Sequence, residues 1–252
     1  MTQKRPKIPD AWYENSKPHL FCPGCGYGIV FKAVAQVVDE LKIRDRIIYG
    51  MDIGCSLLSY NFFNFDTIQT HHGRTTPVIY GIKRAVPEKI CFGIFGDGGG
   101  YAIGSQHLVN SALRNEKIFC ILVNNTVYGM TGGQLAPTTL PDQKTETTPY
   151  GKKIEEYGWP MQGPEMIAAV GSKDVYAARG TVSNFRQLKR FITRGFENNM
   201  ENRGFSFLEV LSFCPTNWRT NAKETWEHLD KVMTKYFKIG EINNPKEQKE
   251  EK

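Results

Sequence analysis

What this chain lacks narrows it first. No apolar run in its 252 residues approaches the ~20 residues that a membrane-spanning helix needs. The opening Met1-Thr2-Gln3-Lys4-Arg5-Pro6 has none of the apolar character of a secretory signal, so a cytoplasmic protein is expected. There is no internal repeat and no Gly/Ser linker, so one domain over 1–252 is expected, long enough for a large α/β core and too short for two of full size. Long blocks of one charge are also missing. Lys and Arg total 32 against 26 Asp and Glu, a net charge of +6, but the basic residues are scattered or terminal. Solubility or an acidic protein partner accounts for that excess, and neither nucleic acid nor a membrane is an expected partner.

Hydrophobic residues make up 40% and charged residues 23%, a globular composition. The most informative stretch is 96–134. A short apolar run, Ile90-Cys91-Phe92-Gly93-Ile94-Phe95, ends in Gly96-Asp97-Gly98, and a second, Ile118 to Val123, ends in Asn124-Asn125. Such runs suit strands buried on both faces. Glycines let a ligand approach the backbone, and Asp97 offers a hard oxygen that suits Mg²⁺. Parallel strands ending on one rim would bring Asp97 and an amide oxygen together where open α/β sheets bind ligands.

Strand and helix patterns alternate along the chain, which predicts an α/β fold with a mostly parallel sheet covered by helices on both faces. Residues 1–19 read as an extended arm whose Trp12 and Tyr13 pack on a neighbouring surface, either the chain's own core or, slightly favoured, another subunit. A helix is predicted from Tyr27 to Leu41, with Val30, Val34, Val37 and Leu41 on one stripe. Arg46 to Met51 reads as a strand ending in Asp52-Ile53-Gly54-Cys55-Ser56, and Tyr60 to Phe65 as an aromatic loop packed on the core or a subunit surface. Thr70-His71-His72-Gly73-Arg74 opens a helix to about Ala85, whose N-terminus suits an anion. The paired histidines do not suit one shared zinc, because adjacent residues point in different directions. Leu135 to Lys153 reads as a lid or partner contact without regular structure. Ser183 is the expected cap of a covering helix, Phe205 to Leu211 the last strand, and Ala222 to Phe237 the last helix. Residues 240–252, ending in a Lys/Glu tail, are expected to be disordered.

The six cysteines separate by context. Cys91 and Cys120 lie inside buried-strand runs and act as small hydrophobes. Cys22, Cys25, Cys55 and Cys214 sit beside Pro or Gly at element ends, where they could converge. A thioredoxin-like pair would need a strand leading into Cys22-Pro23-Gly24-Cys25, and an irregular arm precedes it instead. Zinc and a four-iron, four-sulfur cluster both remain open on spacing alone. The GDG and NN pair reads as a cradle for a metal diphosphate, beside which a redox cluster has a reason to sit and a structural zinc has none.

Taken together, CPGCG, IGCS before HGR, GDG before NN, and the run YGMTGGQLAPTT resemble the β subunit of the 2-oxoacid:ferredoxin oxidoreductases, from about Phe21 to Trp218. The resemblance implies a thiamine-diphosphate-binding fold. It implies one four-iron, four-sulfur cluster on Cys22, Cys25, Cys55 and Cys214, and Mg²⁺ on Asp97, Asn125 and the Val127 carbonyl. The diphosphate would be met by Ile53, Gly54, Cys55, Ser56, His72, Gly96, Gly98, Gly99, Gly129 and Met130. It further implies oxidative decarboxylation of a 2-oxo acid to acyl-coenzyme A and CO₂, with electrons passed to ferredoxin. The 2-oxoglutarate and branched-chain branches are favoured over pyruvate. No carboxylate suited to the aminopyrimidine is evident here, so the resemblance places no catalytic residue on this chain. An α subunit would supply that half of the site, with possible γ and ferredoxin-like δ subunits. Many relatives carry an acid after GDG, whereas this chain has Gly99. The rival readings are a non-oxidative thiamine-diphosphate lyase or synthase subunit and a zinc-stabilised assembly subunit.

Overall fold

A computed structural model describes residues 8–13 and 19–246. The rest of the arm, expected to be extended, and residues 247–252 of the tail, expected to be disordered, lie outside the described residues. The strands are β1 Ile47–Met51, β2 Asp66–Gln69, β3 Ile90–Gly96, β4 Phe119–Asn124, β5 Val127–Tyr128, β6 Gln134–Leu135, β7 Tyr176–Thr181, β8 Ser206–Leu211 and β9 Gly240–Asn243. The helices are α1 Tyr27–Leu41, α2 Thr75–Ala85, α3 Ser105–Leu113, α4 Ile154–Tyr157, α5 Gly163–Val170, α6 Phe185–Met200, α7 Pro215–Trp218, α8 Ala222–His228 and α9 Thr234–Tyr236. A seven-stranded sheet runs in the order β2-β1-β3-β4-β8-β7-β9. Its neighbours are parallel, apart from β9, which lies antiparallel on β7. β5 and β6 form a separate two-stranded hairpin.

The central strands read as unbroken apolar runs because both their faces are covered. Ile90, Phe92 and Ile94 of β3 and Phe119, Ile121 and Val123 of β4 face one core, while Cys91, Phe95, Cys120 and Leu122 face the other. The first core is closed by α1 and α6 and carries an aromatic cluster in which Phe31, Tyr49, Phe62, Phe63 and Phe92 touch edge to face or stacked. The second core is closed by α2, α3 and α5. α2 lies close on the sheet because residues 50 and 93 are glycines. A β-carbon on Gly50 would fall 2.4 Å from Ile79, and one on Gly93 would fall 2.5 Å from Thr75. That contact brings the start of α2 against the end of β1.

Several expectations are corrected. Trp12 stacks on Phe62 of the same chain, with ring centroids 4.3 Å apart, and Ala11 is buried, so the described part of the arm packs on the chain's own core, the less favoured of the two surfaces expected for it. Tyr13 donates its backbone N–H to the Phe62 carbonyl, and Asp39 accepts the backbone N–H groups of Asp10 and Ala11. The cap of α6 is Asn184, not Ser183: its side chain accepts the Gln187 N–H. Residues 240–246 are ordered, and β9 pairs with β7 through Gly240, Glu241 and Asn243. The last helical segment is broken by a π-helical turn at Leu229–Met233. Among the described residues no helix is long and apolar enough to cross a membrane.

Candidate functional site

The ends of β1, β3 and β4 open on one cavity of about 290 Å³. Twelve of the expected residues line it: Ile53, Gly54, Cys55, His72, Gly96, Asp97, Gly98, Gly99, Asn125, Val127, Gly129 and Met130. Tyr27, Asp52, Tyr128 and Thr131 also line it, and the sequence reading did not single them out. Ser56 does not line it. It is buried beneath, with its hydroxyl donating to the Asp52 carbonyl.

Asp97 follows β3 and caps a π-helical turn, Gly98–Ile103, by accepting the Gly98 N–H at 2.8 Å. The Thr138 hydroxyl donates to its other oxygen at 2.6 Å. Both donors are neutral and the side chain is 2% exposed, so burial pushes the Asp97 carboxyl up to about 7 against those two hydrogen bonds. A buried carboxylate supplied with donors but no cation is chemically suited to a divalent ion.

Asn125 begins a tight turn at the end of β4. Thr126 sits in the left-handed region at φ 63°, a costly conformation for a β-branched residue. Its neighbours hold it there. The Asn124 side chain accepts the Thr126 N–H at 3.1 Å, Thr139 donates to the Thr126 carbonyl at 2.6 Å, and Gln143 donates to its hydroxyl at 2.8 Å. The turn brings Asn125 and Val127 to the cavity wall, where the Asn125 side-chain oxygen accepts the Val127 N–H at 3.3 Å. Thr138, Thr139 and Gln143 all come from the stretch 135–153 that was expected to be a lid or partner contact. In the structure it is a buttress, with Thr138 and Thr139 fully buried and the Lys152 ammonium donating to the Thr139 carbonyl. Nothing local in the sequence announces this role, because Thr138 and Asp97 are 41 positions apart.

The four cysteines lie on one side of this cavity. Cys55 lines it, and a β-carbon on Gly129 would be 3.0 Å from its sulfur. Cys25 lines a neighbouring cavity with Pro23, Gly24, Phe213 and Pro215. Asn217 donates to the Cys214 sulfur at 3.3 Å and to the Gly129 carbonyl at 2.9 Å, and the Trp218 indole donates to the Asn125 carbonyl at 3.0 Å. Burial pushes the Cys25 thiol up to about 11, with Cys214 and Cys22 adding to it, and the Cys55 thiol up to about 12, with Cys25, Cys214 and Cys22 adding to it. The Cys214 thiol is raised by burial too. Thiols held this way are poor free nucleophiles. Among the described residues no group of three or more His, Cys, Asp or Glu closes on one point tightly enough to hold a single metal ion. The cysteines therefore share a neighbourhood without forming a ready zinc tetrahedron.

Residues 52–210 match the family described as thiamine pyrophosphate enzyme, C-terminal TPP binding domain. Over 200 residues the chain is 40% identical to the 2-oxoglutarate synthase subunit KorB of Methanocaldococcus jannaschii, covering 79% of this chain and 70% of that one. It is 35% identical over 250 residues to the ketoisovalerate oxidoreductase subunit VorA of Methanothermobacter thermautotrophicus, covering 95% of this chain and 52% of that one. The chain thus spans about half the length of that relative. Among solved structures, the 2-oxoglutarate:ferredoxin oxidoreductase from Magnetococcus marinus, determined with 2-oxoglutarate, coenzyme A and succinyl-CoA bound, superposes with a TM-score of 0.73 at 29% identity. That match covers 89% of this chain and 72% of that one. The domain matched, the similarity to KorB and the sheet topology agree, and the chain belongs to the thiamine-diphosphate-binding β subunits of the 2-oxoacid:ferredoxin oxidoreductases.

Proposed function

We propose that this chain carries the diphosphate end of thiamine diphosphate and one four-iron, four-sulfur cluster in an enzyme that oxidatively decarboxylates a 2-oxo acid to an acyl-coenzyme A. One observation carries the reading. Cys55 lines the diphosphate cavity and also lies within the electrostatic reach of Cys22, Cys25 and Cys214, so the two sites abut. Asp97, Asn125 and the Val127 carbonyl hold Mg²⁺. Ile53 to Ser56, His72, Gly96, Gly98, Gly99, Gly129 and Met130 surround the diphosphate. The four-cysteine set favours a cluster over zinc, because an iron–sulfur cube spreads its thiolates more widely than one tetrahedral ion does.

Thiamine diphosphate supplies the electron sink for loss of CO₂, and the cluster takes electrons one at a time. This chain's part is placement. The strained Thr126 turn holds Asn125 and Val127 at the cavity wall, and Thr138 orients Asp97. Both carboxylates that line the cavity are buried and turned to the chain's own groups, Asp97 to Thr138 and Gly98, and Asp52 to Gly73 and Thr75 through Oδ1 and to His72 through Oδ2. The acid that activates the aminopyrimidine therefore comes from an α subunit, and electrons leave to ferredoxin or to a ferredoxin-like δ subunit, with a γ subunit as a further component. The naming of the relatives supports 2-oxoglutarate or a branched-chain 2-oxo acid as substrate.

Anaerobic co-purification with the α subunit, followed by iron and sulfide analysis and a panel of 2-oxo acids with coenzyme A and ferredoxin, tests this reading. About four irons and four sulfides per β chain are expected, together with ferredoxin reduction that requires both subunits. Colourless protein with one zinc per chain would overturn it.

A further inference from the structure

Beside the expected ligands, one buried acid in the cavity wall has no assigned task. Asp52 is the first residue after β1 and is 1% exposed. Its Oδ1 accepts the Gly73 N–H at 2.7 Å and the Thr75 hydroxyl at 3.2 Å, so it holds the residues that open α2. Thr70 completes the tie by donating to the Met51 carbonyl at 3.0 Å and meeting the Thr75 hydroxyl at 2.7 Å. The other oxygen, Oδ2, has no hydrogen-bond partner and lies 3.3 Å from His72 Nδ1. A buried carboxylate oxygen left this way is costly unless a cation answers it.

His72 is placed to be that cation. Its Nδ1 lies 2.6 Å from the Ile53 carbonyl, and since a carbonyl can only accept, Nδ1 carries a hydrogen. The ring borders the cavity. An anion that takes a hydrogen bond from Nε2 leaves the ring with both nitrogens protonated, a positive charge between the anion and Asp52. Position 99 decides whether this arrangement fits. A β-carbon on Gly99 would fall 2.2 Å from Asp52 Oδ2 and 3.5 Å from His72 Cε1, so any side chain there would take the space the carboxylate occupies.

We propose that Asp52 is the positioning residue for the diphosphate end of the site: it presents His72 and the start of α2 to the anion, and the absence of a side chain at Gly99 admits it. A carboxylate at 52 and a side chain at 99 are alternatives. This rests on the reading that the cavity binds thiamine diphosphate, and the wild-type arm of the test checks that reading separately.

The experiment uses the co-purified complex with Mg²⁺ and reads two quantities, the thiamine diphosphate Kd and the melting temperature of the cofactor-free protein. Wild type should bind and gain melting temperature on binding; if it does not, the cofactor reading fails and not the role of Asp52. Asp52→Asn keeps an acceptor for Gly73 and Thr75 but removes the charge facing His72. It should weaken the Kd by about 10-fold or more while the cofactor-free melting temperature stays close to wild type. Gly99→Asp alone should weaken the Kd by about 100-fold, and Asp52→Ser with Gly99→Asp should bind at least ~10-fold more tightly than Gly99→Asp alone. Wild-type affinity in Asp52→Asn would overturn the proposal. So would a double variant no better than Gly99→Asp, or a cofactor-free melting temperature that falls in step with affinity.

Discussion

Two buried carboxylates, Glu209 and Asp97, show opposite uses of the same expensive group. Glu209 sits in the middle of β8 and is fully buried, yet the protein answers it completely. Arg179, also fully buried on the neighbouring β7, donates to one oxygen at 3.0 Å, and Asn124 donates to the other at 2.5 Å. Burial raises the Glu209 carboxyl while Arg179 and Asn124 pull it back. Arg179 in turn makes a two-pronged pair with Glu165 at 2.7 and 2.6 Å and donates to the Lys238 carbonyl at 3.1 Å. Asp97 receives two neutral donors and no cation. An acid neutralised from within is framework; one left short of positive charge is a place for an ion from outside. Asn124 joins the two, since its nitrogen holds Glu209 and its oxygen holds the Thr126 turn.

Removing the internal cation should break this contrast with the largest effect. Arg179→Ala leaves Glu209 buried and unpaired, and denaturant titration should show a loss of about 3–5 kcal/mol, with or without cofactor. Asp97→Asn tests the other side and should have the opposite sign in cofactor-free protein. The Asp97 carboxyl is raised from 3.8 to about 7. Wild type therefore pays nothing below its unfolded value and loses stability as pH rises from about 4 through about 7. The variant should match wild type near pH 4 and exceed it by on the order of 2 kcal/mol at pH 8, with its stabilisation by Mg²⁺ and thiamine diphosphate abolished. Equal pH curves for the two proteins would sink the assignment. Smallest is Trp218→Phe, which removes the indole donor to the Asn125 carbonyl. It should cost about 0.5–1.5 kcal/mol and loosen cofactor binding without changing the response to pH.

How much of this was legible in the sequence follows from how local each signal is. The strands bearing Asp97 and Asn125 were readable because burial on both faces writes an unbroken apolar run. α1 was readable to its ends, because the stripe of Val30, Val34 and Val37 begins after Gly26 and stops before Lys42, which turns left-handed at φ 55°. β2 escaped because it is an edge strand exposed along its length, and Asp66-Thr67-Ile68-Gln69 writes no such run. β9 escaped because its half-exposed residues are held by pairing to β7, a partner more than 60 positions away. Within the site, the cavity-lining glycines, Asp97 and Asn125 lie in short motifs at strand ends. The groups that orient them, Asp52, Thr138 and Gln143, act across the fold, and their contacts leave no pattern of spacing.

The turn after β8 has a consequence of its own. Asn217 and Trp218 follow Cys214 by only a few residues, and both reach across to carbonyls of the loop that carries Asn125 and Gly129. Asn217 also donates to the Cys214 sulfur, so one short turn ties that sulfur and the cavity-facing loop to the same side chain. On the proposed function, the electron outlet and the cofactor loop thus share a single mooring, and neither can shift without the other being felt.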